Sequence, residues 1–280
     1  MTFDEAYRSC AGKFRDAGIK DSDVDAFLLM QYVTGKSRSY ILSEGREAVL
    51  TEEEERKYFL LAEKREGRIP LQLIMGETEF MGLSFAVRPG VLIPRIDTEF
   101  LVEEAMREVS DGMEVLDLCT GSGCVLLSLM NYKNGIKGLG VDISEKALAL
   151  AKENAERLKA KDVSFIKGDM FAALSEDRRF DAILCNPPYI KSREIPTLMP
   201  EVRLYEPKES LDGGGDGLDF YRILAKEAAL HLYPEGRIFM EIGADEGEDV
   251  KKLFRDAGYL RVEAVRDYAG NERVVKCSRS

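Results

Sequence analysis

Tryptophan is absent from this 280-residue sequence and histidine occurs once, at His231. A lone imidazole argues against His-based metal centres and Ser-His-Asp catalysis, because both chemistries need an imidazole placed among other reactive groups. His231 is better read as a helix-end residue ahead of Tyr233-Pro234-Glu235-Gly236. Long hydrophobic runs are missing too: stretches such as 125–127 fall far short of the ~20 residues needed to cross a bilayer. The opening MTFDEAYRSC carries acids and lacks the basic-then-apolar order of an export signal, so a soluble protein in the cytoplasm is expected. The five cysteines, Cys10, Cys119, Cys124, Cys185 and Cys277, form no CxxC pair. Neither a disulfide framework nor a zinc knuckle is indicated, and they read as small packed residues. Glycine at 24 and proline at 9 are near ordinary usage, which excludes a fibrous or low-complexity chain.

What is present is a 45% hydrophobic, 32% charged chain that should fold, long enough for two unequal domains. Residues 1–75 read as helices. Phe3, Tyr7, Cys10 and Phe14 fall along one helical stripe. A second helix follows Asp21-Ser22-Asp23 and stops at Gly35, and a third starts at Thr51, whose hydroxyl can cap the amide of Glu54 while Glu54 reaches back. Gly67 and Pro70 are expected to end this region. Residues 76–96 form a hairpin connector, with Phe80, Phe85 and Val87 alternating around Gly82. From residue 97 to 280 apolar runs of strand length alternate with helical stretches, the mark of a parallel α/β sheet. Strands are predicted at 114–118, 138–142, 163–167, 182–185 and 237–242, with helices at 124–131, 145–158, 220–232 and 246–257. Two last stretches, 261–265 and 273–277, are close enough to make an antiparallel pair closing the sheet.

Four strand ends carry the chemistry. Val115 to Cys124 reads VLDLCTGSGC, a strand running into a glycine-bearing loop and then a helix. Gly121 and Gly123 permit unusual backbone angles and close approach of a ligand. A dinucleotide fingerprint needs a third glycine where Leu126 stands, which argues against a pyrophosphate ligand. The next strand ends at Asp142, a carboxylate able to accept two ribose hydroxyls, or to cap the helix that follows. Asp169 and Met170 close the third strand, suited to an adenine edge and face, although an Asp after a strand also reads as a turn residue. The fourth signal is Asn186-Pro187-Pro188-Tyr189. The Asn186 amide oxygen and the Pro187 carbonyl are two acceptors in a stiff turn, enough to hold both protons of an NH2 group. Tyr189 can stack on the planar group and exclude water.

These residues resemble the amino-methyltransferases that use S-adenosylmethionine. Further segments narrow the resemblance: Arg68 to Gln72 (RIPLQ), Leu92 to Glu99 (LIPRIDTE), Glu201-Val202-Arg203 with Glu206-Pro207, and Arg266 to Val275 (RDYAGNERVV). Together they look like the peptide chain release factor glutamine methyltransferases, the PrmC/HemK family. The resemblance implies a class I S-adenosylmethionine-dependent methyltransferase fold: an α/β, Rossmann-like sheet of seven strands, the last antiparallel, with a small N-terminal helical domain for substrate recognition. It implies methylation of the glutamine in the Gly-Gly-Gln motif of class 1 peptide chain release factors, with S-adenosyl-L-homocysteine as the other product. Carried over by motif, Cys119, Thr120, Gly121, Ser122 and Gly123 hold the methionine part and Asp142 the ribose. Asp169 and Met170 hold the adenine edge, and Asn186 to Tyr189 hold the substrate amide, with Asn186, Pro187 and Tyr189 catalytic and Asn186 also beside the donor. No metal is implied. Two positions depart from the pattern: Cys119 stands where the family mostly has Gly, and Ile96 where it often has Pro. The Pro94 to Glu99 segment can be read as a substrate loop or, equally, as a loop in which Asp97 or Thr98 caps the next helix.

Charge bears on the partner. With 40 basic and 51 acidic side chains the net charge is -11, whereas nucleic-acid readers present a basic face to phosphates. Residues 1–75 hold 12 basic and 14 acidic residues, so no basic target-recognition segment is visible. A protein substrate fits better than DNA, and no direct nucleic-acid or membrane partner is expected. Two other readings stay open from sequence: an adenine or cytosine amino-methyltransferase sharing the Asn-Pro-Pro-Tyr chemistry, and a non-catalytic adaptor that binds S-adenosylmethionine.

Overall fold

The computed structural model describes residues 1–279, so Ser280, the end of the third expected segment, lies outside the described residues. The chain divides into two compact units. One comprises Met1–Glu77 together with Met199–Tyr205, and the other Thr78–Leu198 with the chain from Glu206 onward.

The first unit is helical: α1 (Phe3–Asp16), α2 (Ser22–Thr34), α3 (Arg38–Glu44), α4 (Glu52–Glu66) and α5 (Leu71–Met75), joined by the distant α9 (Pro200–Tyr205). Phe3, Cys10 and Phe14 are buried, as their spacing predicts, against Leu29, Met30, Tyr58 and Leu61. The reciprocal Thr51–Glu54 capping box is present, with Glu54 N donating to Thr51 Oγ1 at 3.2 Å and Thr51 N to Glu54 Oε2 at 2.8 Å. Gly35 ends α2 in the left-handed conformation. Three short helices, α3, α5 and α9, go beyond the sequence expectation. Each is too brief to show periodicity, and Pro70 precedes α5 rather than ending the region. α9 is held in this unit by charge: Arg65 Nη1 and Arg68 Nη2 bond Glu201 at 3.0 and 2.6 Å, and Arg65 Nε bonds Asp25 at 2.7 Å. Arg65, Asp25 and Glu201 are nearly buried, so each charge needs these partners.

The expected hairpin, β1 (Glu77–Phe80) and β2 (Leu83–Ala86), starts at the last residue of the first unit and lies otherwise in the second, followed by α6 (Ile96–Glu108). Alternation follows: β3 (Glu114–Leu118), α7 (Cys124–Tyr132), β4 (Lys137–Asp142), α8 (Glu145–Arg157), β5 (Val163–Lys167), β6 (Phe180–Cys185), α10 (Asp219–Glu227), β7 (Leu232–Glu241), α11 (Gly247–Asp256), β8 (Leu260–Arg266) and β9 (Glu272–Ser278). The sheet order is β5-β4-β3-β6-β7-β9-β8, with β9 antiparallel to both neighbours. This is the expected seven-stranded sheet with its last strand reversed. The order turns back on either side of β3, between β4 and β6, and open sheets bind ligands beyond the carboxyl ends of strands at such a switch point. Core residues pack on both faces, led by Leu116, Ile183 and Met240 on one and Val115, Leu184 and Phe239 on the other.

The boundary region between α10 and β7 differs: the helix expected to reach 232 ends as α10 at Glu227. Tyr233 to Gly236 fall between an expected helix and an expected strand, but β7 already starts at Leu232. The register with β6 jumps from Phe180↔Leu232 to Ala182↔Arg237, so these residues form a bulge that accommodates Pro234. His231 is packed as expected: its ring stacks on Phe171 at 5.2 Å and its Nδ1 meets the Arg178 carbonyl at 3.0 Å. Among the described residues no helix is long and apolar enough to cross a membrane.

Candidate active site

A cavity of about 280 Å³ opens where β3, β4, β5 and β6 end, lined by residues from all four strand ends. Of the expected site residues, Cys119, Gly121, Asp142, Asp169, Met170, Asn186 and Pro188 line it. Thr120, Ser122, Gly123, Pro187 and Tyr189 are not among its lining residues.

The loop after β3 is built by backbone conformation. Cys119, Gly121 and Gly123 all have positive φ, at 57°, 56° and 79°. A Cβ on Gly123 would approach Leu127 Cδ1 at 3.1 Å and Ala151 Cβ at 3.3 Å, so glycine lets α7 begin close to α8. Thr120 does not face the cavity. Its hydroxyl donates to Asp117 Oδ2 at 2.5 Å inside the protein. Burial pushes the Asp117 carboxyl up to about 7, the Thr120 bond opposing. Ser122 is buried, and its carbonyl accepts Asn154 Nδ2 at 3.0 Å. Cys119 reaches Met170, with Sγ 3.6 Å from Sδ.

Asp142 is not the cap of α8. Ser144 caps that helix, its Oγ accepting the Ala147 amide at 3.3 Å. Asp142 instead takes the Gly121 amide on Oδ2 at 2.8 Å and the Ser144 amide on Oδ1 at 2.9 Å, tying the β3 loop to the tip of β4. Burial raises its pKa, while these amides favour the charged form. A carboxylate has about four acceptor directions, so both oxygens can still receive a ribose diol. A donor carrying a ribose, an apolar base and a short chain therefore matches the acceptors and the apolar walls supplied by Val141, Ile143, Met170 and Phe220.

Asn186 and Tyr189 are half-buried and Pro187 and Pro188 buried. Asn186 Nδ2 donates to Thr98 Oγ1 at 3.1 Å, which leaves its amide oxygen as a free acceptor at the cavity wall. The Tyr189 hydroxyl donates inward to Glu241 Oε1 at 3.3 Å. Behind the corner, a Cβ on Gly213 would come within 2.7 Å of Tyr189 Cα, so only glycine lets that loop support the turn. Neither Asp97 nor Thr98 caps α6: its N-cap is Arg95, without a side-chain bond. Thr98 is buried against Asn186, and Asp97 pairs with Arg273 at 3.2 Å. Arg95 bonds both oxygens of Glu206 at 2.6 Å. The segments RIDTE, Glu206-Pro207 and RDYAGNERVV are thus physically joined.

Sequence reasoning missed Asp117 and Glu241, as well as Ile143, Glu209, Ser210 and Phe220 of the cavity wall, whereas Leu92 and Thr98 entered through the LIPRIDTE segment without their individual contacts. The signal present in the sequence is a carboxylate inside an apolar strand, VLDLC for Asp117 and FMEIG for Glu241. A buried acid with no local partner points to a polar network.

Residues 5–76 match the PrmC N-terminal domain, and residues 109–274 match a methyltransferase domain. A release factor glutamine methyltransferase of Clostridium botulinum is 39% identical over 269 residues, covering 95% of each chain. Another, of Geobacter sulfurreducens, is 45% identical over 215 residues, 77% of this chain and 75% of its own. In three dimensions, a methyltransferase from Pyrococcus furiosus superposes with a TM-score of 0.54 at 21% identity, over 71% of this chain and 90% of that one, a likeness of fold. With two domain matches in series and relatives this similar along nearly the full length, the chain belongs to the release factor glutamine methyltransferase family.

Proposed function

We propose that this protein transfers a methyl group from S-adenosylmethionine to the side-chain amide nitrogen of the glutamine in the Gly-Gly-Gln motif of class 1 release factors. Family membership supports the reaction. The observation that carries the site assignment is the anchored carboxamide of Asn186, whose nitrogen is spent on Thr98 and whose oxygen borders the cavity.

S-adenosylmethionine, when bound, supplies an electrophilic methyl group on a positively charged sulfur. Asp142 receives its ribose, the loop from Cys119 to Gly123 its methionine part, and Asp169 with Met170 its adenine. An amide nitrogen is a poor nucleophile because its lone pair is shared with the carbonyl. Asn186 Oδ1 and the Pro187 carbonyl accept its two protons, aim the lone pair and stabilise the positive charge that grows on nitrogen. Pro187 and Pro188 keep these acceptors stiff, so little reorganisation is needed as charge develops. The N–C bond forms as the S–C bond breaks with its electron pair going to sulfur, leaving S-adenosylhomocysteine, and one proton of the methylated nitrogen, now strongly acidic, passes to water, so no histidine base is needed.

The test offers labelled donor to a class 1 release factor with its Gly-Gly-Gln glutamine intact or replaced, alongside duplex DNA. Label in the intact factor alone is expected; label in DNA, or in the replaced factor at the same rate, overturns the reading. Replacing Asn186 by Ala should lower kcat by about a hundredfold or more while donor affinity stays within a few-fold.

A further inference from the structure

Glu241 ends β7 beside the Asn-Pro-Pro-Tyr corner, since Cys185 pairs with Met240 across the two strands. It is 2% exposed, and Arg273 acts on it through space rather than through a direct ion pair. One oxygen, Oε1, accepts the Tyr189 hydroxyl. The other, Oε2, is buried without a hydrogen-bond partner, an expensive state for a carboxylate. The Thr98 hydroxyl stands next to this carboxylate and favours its charged form. Thr98 Oγ1 already accepts from Asn186, so its own hydrogen is available. A carboxylate can only accept, which decides where that hydrogen goes. With the Thr98 hydrogen turned to Glu241, Thr98 can offer Asn186 only lone pairs. Asn186 must then present its NH2 to Thr98 and its oxygen to the cavity. The reverse orientation would set an NH2 against the NH2 of a substrate carboxamide, two donors facing one another.

We propose that Glu241 is the positioning residue of this active site, setting the polarity of the Asn186 carboxamide through the Thr98 hydroxyl and fixing Tyr189 directly. The inference rests on the methyl-transfer reading for its kinetic consequence, but the orientation of Asn186 is a property of the protein alone. The network also ties the LIPRIDTE segment to the chemistry, because Thr98 is its contribution to the substrate-binding corner.

The experiment uses the full chain with Glu241→Gln, Thr98→Val and Thr98→Ser. Gln keeps the shape of Glu but can donate as well as accept, Val keeps the shape of Thr without its hydroxyl, and Ser restores the hydroxyl. With release factor as substrate, Glu241→Gln and Thr98→Val should each lower kcat about ten- to hundredfold at unchanged donor affinity, and Thr98→Ser should keep most activity. The double variant should be little worse than either single one, because both cut the same chain. Independently of activity, the Asn186 side-chain NH2 resonances should be protected from hydrogen exchange in the wild type and in Thr98→Ser, and lose protection in the other two. Unaltered kcat and Asn186 protection in Glu241→Gln overturn the proposal, as does a Thr98→Ser variant as impaired as Thr98→Val. A wild-type protein that transfers no methyl group refutes the functional reading instead, and the resonances of Asn186 still decide this one.

Discussion

At the residue scale, activity and stability should respond to pH in opposite senses through one group. Burial pushes the Glu241 carboxyl up to about 7, with the Thr98 and Tyr189 hydroxyls and Arg273 of β9 opposing the shift and Asp97 of α6 adding to it. Tyr221 faces the same residue, its hydroxyl donating to the Glu241 main-chain oxygen at 2.9 Å. The proposed polarity needs the ionised form, because a protonated carboxyl could donate to Thr98 and turn the Thr98 hydrogen away from itself, so kcat should rise as pH increases through about 7, and Glu241→Gln should flatten that limb. Stability runs the other way. A carboxyl whose pKa is raised by folding contributes most below its unfolded value, and the contribution is lost as pH climbs through the folded value. Between about pH 5.5 and 8.5 the Glu241→Gln variant should therefore gain about 2 kcal/mol relative to wild type in urea unfolding. An unchanged difference between the two proteins across that range would contradict the burial argument. Asp117, also pushed up to about 7 by burial, makes the same kind of contribution.

At the scale of elements, the strand-end loops show what a sequence reveals and what it conceals. The capping box at Thr51 and the stop at Gly35 are legible because both are local: the residues that make the contact are adjacent in the chain. So are the glycine loop after β3 and the acid at the tip of β4, whose spacing sets their place in an α/β alternation. The partners of those residues are not. Thr98 meets Asn186 across 88 positions, and Tyr189 meets Glu241 across 52, distances over which no periodicity carries information. The same limit hides α3, α5 and α9, too short to repeat, and the bulge in β7, which only the partner strand reveals.

The loop between β3 and α7 yields its own prediction. Cys119 occupies the left-handed region at φ 57°, where a side chain costs roughly 1–2 kcal/mol and glycine costs nothing. The departure from glycine is therefore strained, and the Sγ contact with Met170 returns part of that cost. Cys119→Gly should relieve the strain and lose the contact, leaving stability within about 0.5 kcal/mol of wild type, whereas Cys119→Ala keeps the strain and should be less stable than Cys119→Gly by about 1 kcal/mol. Chemical denaturation of the two variants checks the order; an Ala variant as stable as the Gly variant would show the backbone to be relaxed there.

At the scale of the whole molecule, the helical unit is discontinuous. Arg65 and Arg68 find Glu201 only through α9, so a fragment of residues 1–77 would keep two arginines beside one another without that carboxylate. Breaking a buried charge pair costs about 3–5 kcal/mol. The fragment should melt well below the same helices in the full chain, and a variant of the full protein with Glu201→Gln should lose a comparable share of the stability of α1 to α5 while leaving donor binding intact. Hydrogen exchange resolved by unit reads this; equal protection of α4 in fragment and full chain would refute it.

A ribosome makes this chain from the amino end. Arg65 leaves the exit tunnel while its carboxylate partner, 136 positions away, has yet to be joined to the growing polypeptide. At about 5–20 residues per second the wait is on the order of ten seconds. Through that interval the nascent helices hold an incomplete charge network.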